Sequence, residues 1–334
     1  MKQPALVACA IPLLASLALL VACDGRDSMN TEPGGGEITF TVNRTGWNEI
    51  WLMGADGSDR RRLTEVEAAQ NDAAGSSSPA WSPDGTQIVF AAQIGTLTED
   101  QRLSEIYVMD ADGTDRRQLT TNTDVDASPS WSPDGKRIVF TRIVDHGTDE
   151  VRSGIFVMDA AGGGEVQVAQ TARPTFDLSP AWSPDGSMIA FTRASPSAGS
   201  ENPSAAVYLV HLDGRTPTKL TSDGAEPDWS PDGKRIAFTS FRDHFGRTCF
   251  HECGTSGEIY VVGADGSQER RLTESRTSDG SPAWSSDGRL IAFASDRSNP
   301  NEHEIETYVM DANGDDVRRI TENKVWDREP AWRP

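Results

Sequence analysis

The sequence predicts an all-β fold, a six-bladed β-propeller with four antiparallel strands in each blade. Three observations support this prediction. A tryptophan-containing motif recurs at intervals of 50, 51, 47, 55 and 48 residues. Each interval holds four apolar segments of strand length, and no segment after residue 22 has a helical period of useful length. The first and last repeats are incomplete in complementary ways, so together they would form one blade.

The composition excludes several classes of partner. The 334 residues include 51 acidic and 31 basic side chains, which gives a formal net charge of −20. Nucleic acid is therefore not an expected partner, because phosphate binding depends on Lys and Arg. The same charge disfavours electrostatic docking on an anionic bilayer. A hydrophobic content of 36% with nine Trp indicates a globular chain.

Residues 1–22 have the features of an export signal. Lys2 is followed by an apolar run from Ala5 to Ala22, which is too short and ends too abruptly for a membrane-spanning helix. The run ends in Leu-Val-Ala before Cys23, and this tetrapeptide resembles the lipobox of bacterial lipoproteins. The resemblance implies cleavage before Cys23 and acylation of its thiol and of the new α-amine, which anchors a chain stably. The alternative is an ordinary signal peptide followed by an incidental cysteine.

Residues 23–37 are predicted to be a lipidated, flexible tether, because the segment is polar and rich in Gly and Pro. The propeller is predicted to occupy residues 38–334.

Each repeat contains a Pro-x-Trp strand and a turn of the Ser-Pro-Asp-Gly type. Pro presets φ, Asp tolerates the turn geometry, and Gly takes positive φ. One large ring at the same place in every repeat indicates packing between blades, with ligand stacking as the lesser alternative. The turn aspartates are expected to accept hydrogen bonds from turn amides. These repeated residues are Trp81, Trp131, Trp182, Trp229, Trp284 and Trp332, and Asp84, Asp134, Asp185, Asp232 and Asp287.

Three further strands complete each repeat, represented by residues 88–90, 105–109 and 117–120. The folded part begins at residues 38–40, a second strand without its first, and ends at 330–332, a first strand without its second. We expect the C-terminal strand to pair with the N-terminal one, which closes the ring and removes exposed sheet edges.

The succession WSPDG, IxF, EIYVMDADG and RRLT resembles the TolB-type propeller repeat, and the resemblance extends over nearly all of residues 38–334. TolB itself carries an α/β domain before its propeller, whereas here only the predicted tether precedes Ile38. The resemblance implies a lipid-anchored, TolB-like propeller on the periplasmic side of the bacterial cell envelope. It does not distinguish between anchoring in the inner and in the outer membrane. It says little about activity, because propellers host many functions.

The long and variable connections are predicted to lie on one face of the ring, opposite the short turns. Variable loops on a rigid scaffold commonly carry recognition, although these loops could also be tolerated insertions. Their acidic residues would favour a basic protein patch or a divalent cation in the channel, or would simply form a solvated surface. Arginines recur just beyond the second strand, and they could bind a partner's carboxylate or carbonyl or fix loops to neighbouring blades. They are Arg44, Arg142, Arg193, Arg242 and Arg297.

Two cysteines follow the predicted lipidation site, Cys249 and Cys253. In a compartment that permits oxidation they most simply form one disulfide. A metal site that adds His244 and His251 is the weaker alternative, because the spacing matches no standard zinc motif.

The sequence contains no GxSxG elbow, HExxH motif or phosphate-binding Gly loop. We therefore expect a monomeric, non-catalytic binding or scaffold module without a cofactor. It would recognise an envelope or peptidoglycan-associated protein through its long-loop face. The alternative is a hydrolase or lyase acting on a saccharide or peptide at the channel mouth, with scattered His and acidic residues.

Overall fold

The structure is a computed structural model. It describes residues 36–44, 47–65, 75–94, 103–144, 151–170, 175–195, 204–213, 216–243, 257–275, 277–298 and 304–334. Cys23, His244, Cys249, His251 and Cys253 lie outside these ranges, as does most of the predicted signal and tether. Every regular element in these ranges is a strand. Within them, no helix is long and apolar enough to cross a membrane.

The described ranges contain 24 strands, numbered in chain order. They are β1 (Glu37–Asn43), β2 (Asn48–Gly54), β3 (Arg61–Arg62), β4 (Gly75–Trp81), β5 (Gln87–Ile94), β6 (Leu103–Asp110), β7 (Arg117–Gln118), β8 (Val125–Trp131), β9 (Arg137–Val144), β10 (Arg152–Asp159), β11 (Val166–Gln170), β12 (Phe176–Trp182), β13 (Met188–Ser195), β14 (Ser204–His211), β15 (Thr218–Lys219), β16 (Ala225–Trp229), β17 (Arg235–Ser240), β18 (Glu258–Gly263), β19 (Arg270–Arg271), β20 (Asp279–Trp284), β21 (Leu290–Ser295), β22 (Glu306–Asp311), β23 (Arg318–Arg319) and β24 (Trp326–Trp332).

The strands pair as antiparallel meanders of four. Four of these meanders are separate sheets, ordered β24-β1-β2-β3, β12 to β15, β16 to β19 and β20 to β23. The prediction of six separate blades differs from the observed sheets at one place. Strands β4 to β7 and β8 to β11 form a single sheet, because one parallel bridge joins Ser104 of β6 to Val125 of β8. We number the meanders 1 to 6, starting with β24-β1-β2-β3 and continuing with β4 to β7.

The first strands of the meanders lie side by side around the channel. Each first strand packs against the next in the order β4, β8, β12, β16, β20 and β24, and β24 in turn packs against β4. Meander 1 combines the two ends of the described chain, since Trp332 pairs with Ile38 and Ala331 with Thr39. The chain therefore folds as an all-β propeller.

The core lies between neighbouring meanders. Along β5, Ile88 and Phe90 face meander 1, whereas Val89 faces meander 3. Both faces of β5 are thus buried, which explains its unbroken apolar sequence. Trp81 is buried among Ile50 of meander 1 and Ile88 and Phe90 of meander 2. Its ring therefore fills the seam between two meanders.

The Ser-Pro-Asp-Gly turns are organised by side-chain hydrogen bonds. In the turn after β12, Ser183 donates its hydroxyl proton to Asp185 Oδ1 at 2.6 Å, and the Ser187 amide donates to the same oxygen at 3.0 Å. The Ser183 hydroxyl also accepts a hydrogen bond from the Met188 amide at 2.9 Å. These hydrogen bonds, that from Ser183 first, lower the pKa of Asp185. The same Ser–Asp bond occurs at Asp84, Asp134, Asp232 and Asp287.

Arginines on the fourth strands bind across the outer edges of the seams. Arg61 donates to the carbonyl oxygens of Ala111 and Asp112 in meander 2, at 3.3 and 3.4 Å. At the equivalent position Arg117 reaches Ala161 of meander 3 at 3.0 Å. Arg270 reaches Asn313 of meander 6 at 3.0 Å. The register places Val166 of meander 3 and Thr218 of meander 4 at this same position.

Candidate functional site

The channel wall is formed by the six first strands, each of which carries a bulge. The residue before the proline has a positive φ, and the pairing with the second strand shifts register there. A bulge re-aims the side chain of the extra residue, so these residues form a ring of comparable positions. They are Ser78, Ser128, Ser179, Glu226, Ser281 and Glu329, with φ between 49° and 54°.

Both glutamates of this ring accept hydrogen bonds from a threonine hydroxyl and from a backbone amide. Glu329 Oε2 accepts from Thr41 Oγ1 at 2.7 Å and from the Ser78 amide of the next meander at 2.7 Å. Glu226 Oε2 accepts from Thr239 Oγ1 and from the Ser281 amide of the next meander, both at 2.9 Å. Glu226 Oε2 also accepts from the Ser281 hydroxyl at 3.3 Å, so both carboxylates are held through one oxygen, Glu329 by two donors and Glu226 by three.

Arg328 lies beside Glu329 on β24. Its guanidinium carbon is 4.4 Å from the ring centroid of Trp326, which is 37% exposed. Arg328 Nε is buried and has no hydrogen-bond acceptor among the described residues. Burial lowers the pKa of Arg328, while the charges of Glu329 and of Glu226, two meanders away, oppose that shift. The guanidinium is therefore stacked on an aromatic ring and interacts electrostatically with two carboxylates.

Two positions on each of the first strands opposite β24 and its neighbour carry apolar residues. The positions equivalent to Trp326 and Arg328 are occupied by Val125 and Ala127 in meander 3 and by Phe176 and Leu178 in meander 4. All four are half-buried. The first strands thus place charged residues on one side of the channel and these apolar residues on the other.

A second set of charged groups lies where β9, β13 and β21 end. Arg193 donates through Nε and NH2 to the two oxygens of the fully buried Asp177, at 2.7 and 2.8 Å. Asp177 raises the pKa of Arg193 through these bonds. Arg142 makes the same two bonds to Asp126, and Arg297 bonds Asp279 at 2.5 Å.

Through these contacts, three of the predicted partner-binding arginines bind aspartates of their own meanders. Arg142, Arg193 and Arg297 also lie over aromatic rings of the second and third strands. Arg242 donates to Ser240 Oγ at 2.8 Å, and Arg44 lies over Trp51 with its guanidinium carbon 4.7 Å from the ring centroid. Their role toward a partner stays a prediction.

Meander 1 has the buried aspartate but lacks the arginine. Asp327 is fully buried, and the position of Arg142 and Arg193 is occupied by Val42. Asn323 donates to Asp327 Oδ2 at 2.6 Å, whereas Oδ1 has no hydrogen-bond partner within the described part of the chain. Burial raises the pKa of Asp327 to about 7.

The described ranges contain no cluster of three or more His, Cys, Asp or Glu that could hold a metal ion. Asp243, an acidic residue at the start of the long connection after β17, accepts a hydrogen bond from the Tyr260 hydroxyl and pairs with Arg271 at 3.5 Å. His211 is the only histidine of the sequence within the described ranges, and it pairs with Met188 beside a short turn. No histidine of the described chain therefore meets the acids of the channel.

Comparison with known proteins agrees with this architecture. Residues 71–168 match the model of the TolB beta propeller domain. The fold is TolB-like. TolB from Acinetobacter baumannii superposes with a TM-score of 0.67 at 22% identity, covering 90% of this chain and 67% of that one. No curated protein matches.

The TolB-like fold is shared with enzymes. Oligogalacturonate lyase from Vibrio parahaemolyticus has a TM-score of 0.53 at 13% identity, over 81% of this chain and 73% of the lyase. A puromycin-hydrolyzing peptidase from Mycobacterium tuberculosis has a TM-score of 0.53 at 14% identity, over 86% of this chain and 45% of the peptidase. At such identities the likeness shows the fold alone.

Proposed function

We propose that this chain is a non-catalytic binding or scaffold module of the bacterial envelope, a TolB-like propeller of six blades. The parallel bridge at Ser104 is a single residue pair, so meanders 2 and 3 count as two blades. Recognition takes place on the face where the second strands end and the first strands begin. The described ends of β9 and β13, which precede the long connections 145–150 and 196–203 in the sequence, lie on that face.

The observation that carries this proposal is the set of buried Asp–Arg pairs at the bases of these connections. Asp177 and Arg193 face each other across β12 and β13, near the point where the chain leaves β13. A buried, two-bond ion pair holds its side chains in one geometry. The connections therefore start from rigid positions, as recognition loops on a fixed scaffold do.

A photo-crosslinking amino acid, placed in turn at positions in 145–150 and 196–203 of the chain in intact envelopes, tests this face. The matched control carries the crosslinker at Lys136 or Lys234, which are exposed in short turns. We expect one protein, with a basic surface, to be captured from the long connections and not from the short turns. Equal capture from both sets, or none from either, would overturn the proposed face.

We further propose that Cys23 is lipidated and that the tether 23–37 holds the propeller at its membrane. Replacing Cys23 with Ser should move the chain from the membrane fraction to the soluble fraction. Retention of Cys23→Ser in washed membranes would contradict lipidation.

The second candidate function is a lyase or hydrolase acting at the channel mouth. The channel charges favour it, because Arg328, Glu226 and Glu329 combine a cation with two acids. The purified chain would then turn over an oligosaccharide or peptide, and Glu226→Gln would abolish the turnover. A captured protein partner without turnover supports the binding module instead.

A further inference from the structure

Arginines at the start of two second strands lie over the tryptophans of the next meander. The guanidinium carbon of Arg137 is 4.9 Å from the ring centroid of Trp182, and that of Arg235 is 4.6 Å from the ring centroid of Trp284. A guanidinium over an indole ring is attracted by the electrons of the ring face. Two seams therefore bind a guanidinium that the chain itself supplies.

Arg333 shows which further groups hold a guanidinium in a seam. Its guanidinium carbon is 5.0 Å from the ring centroid of Trp81, and its Nε donates to the carbonyl oxygen of Gly85 at 3.0 Å. The guanidinium also pairs with Glu37, the first residue of β1. The seam between meanders 1 and 2 thus combines an aromatic ring, a turn carbonyl and a carboxylate around one cation.

The seam between meanders 2 and 3 has glutamine at the position of these strand-initial arginines. Gln87 begins β5 and follows Trp81 by six residues, just as Arg137 begins β9 and follows Trp131 by six residues. The side-chain amide of Gln87 donates to Asp110 at 3.3 Å. Trp131, the ring of this seam, is 9% exposed, more than any of the other five seam tryptophans. It is therefore the least covered of the six rings.

A cavity of about 410 Å³ lies in this seam. Its walls include Trp131 and Gln87, the turn glycine Gly135, and the turn aspartates Asp84 and Asp134. Gly135 occupies the turn position whose carbonyl oxygen binds a guanidinium in the preceding seam. The cavity thus brings together the three kinds of group that surround the arginine there. Its volume is in the range of small-molecule sites.

The two aspartates give the cavity a negative charge. Asp84 Oδ1 accepts hydrogen bonds from the Ser82 hydroxyl at 2.6 Å and from the Thr86 amide at 3.0 Å. Asp134 Oδ1 accepts from the Ser132 hydroxyl at 2.6 Å. These bonds, those from the serines first, lower the pKa of both aspartates. Both carboxyl groups are therefore ionised at neutral pH, and they favour a cation as the ligand.

We propose that this cavity binds the guanidinium group of a small molecule. The guanidinium stacks on Trp131, donates to the carbonyl oxygen of Gly135, and pairs with Asp84 and Asp134. A guanidinium suits the cavity better than a compact ammonium, because its planar fork can stack and donate at the same time. This site goes beyond the proposed function, because it lies among the short turns, opposite the face of the long connections, and needs no protein partner.

Isothermal titration of the purified chain with agmatine, a guanidinium on a short alkyl amine, tests the proposal. N-carbamoylputrescine, in which an uncharged ureido group replaces the guanidinium, is the matched ligand. We expect agmatine to bind at least about tenfold more tightly, because the ureido group loses the charge-assisted hydrogen bonds. Equal binding of the two ligands, or no binding of agmatine at millimolar concentration, would overturn the proposal.

Two variants locate the site. Gln87→Arg supplies the chain's own guanidinium, as Arg137 and Arg235 do in their seams, and it should abolish agmatine binding. Asp84→Asn should weaken binding at least about tenfold, because it removes one of the paired charges. The control is Met188→Arg, which makes the same charge change at the equivalent position of meander 4 and should leave the affinity unchanged.

Unchanged affinity in folded Gln87→Arg, with folding checked by its melting temperature, would refute the placement in this seam. An equal loss of binding in folded Met188→Arg would refute it as well. Because a small molecule is not captured as a protein, the crosslinking result is independent of all these outcomes.

Discussion

Replacing Asp177 with Asn should destabilise the propeller, whereas the same replacement at Asp327 should stabilise it above pH 7. The two residues occupy the same position of their first strands, and both are fully buried. They differ in their partner, because Asp177 faces Arg193 while Asp327 faces Val42. The pair of substitutions therefore isolates the effect of the arginine.

The cost at Asp177 follows from the broken ion pair. Asp177→Asn leaves the Arg193 guanidinium, whose side chain is only 16% exposed, without its carboxylate. Removing one partner of a buried pair costs about 3–5 kcal/mol. The free energy of unfolding should fall by that amount at every pH at which Asp177 is ionised.

The gain at Asp327 follows from its raised pKa. Burial moves this pKa from 3.8 to about 7. The stabilising contribution of the protonated carboxyl is complete below pH 3.8 and is lost as the pH rises to 7. At about 1.4 kcal/mol per pH unit this loss reaches at most about 4 kcal/mol. Asp327→Asn has no such loss, so its advantage should grow between pH 4 and pH 7 and then stay constant.

Urea denaturation followed by circular dichroism at pH 4, 5.5, 7 and 8 measures both effects. The quantity compared is the difference in unfolding free energy between wild type and variant at each pH, which cancels the titration of all other groups. Asp279→Asn, which removes a second arginine-paired aspartate, serves as a replicate of Asp177→Asn. If Asp327→Asn is as destabilising at pH 8 as Asp177→Asn, the reasoning from the missing arginine is wrong.

Two further predictions concern the turns and the closure of the ring. Asp185→Ala should lower the melting temperature, because the Ser183 hydroxyl and the Ser187 amide lose their acceptor, and an unchanged melting temperature would show that the turn holds without them. Trp332→Ala should cost about 3–5 kcal/mol of unfolding free energy, because this buried ring packs in the seam between meanders 1 and 6. Trp326→Ala on the same strand should cost far less, since its ring is 37% exposed; equal losses in urea denaturation would contradict the assigned closure.

The propeller could be predicted from the sequence because its packing is local to each repeat. The tryptophans, the turn aspartates and the second strands recur at intervals of 47 to 55 residues, and each tryptophan packs in the seam between two meanders. The parallel bridge from Ser104 to Val125 could not be predicted, because it depends on how closely two meanders approach.

The residues of the channel site could be predicted from the sequence only in part. The arginines were visible as repeats, but the partners Asp126 and Asp177 lie 16 residues earlier on another strand, so the pairing requires the register. Glu226 and Glu329 become apparent when the residues before each proline are aligned, since serine occupies the other four positions. Arg328 has no counterpart in any other repeat, and periodicity cannot single out such a residue.

The outer-edge arginines have a consequence for how the ring comes apart. Arg61, Arg117 and Arg270 each bind one meander to the next. At the two seams of meander 4, the equivalent positions are occupied by Val166 and Thr218. A closed ring must break at one seam before any meander can leave it, and the weakest seam sets the height of that barrier. We therefore expect meander 4 to detach from the ring first. Amide hydrogen exchange should then be faster in its strands than in those of meander 2.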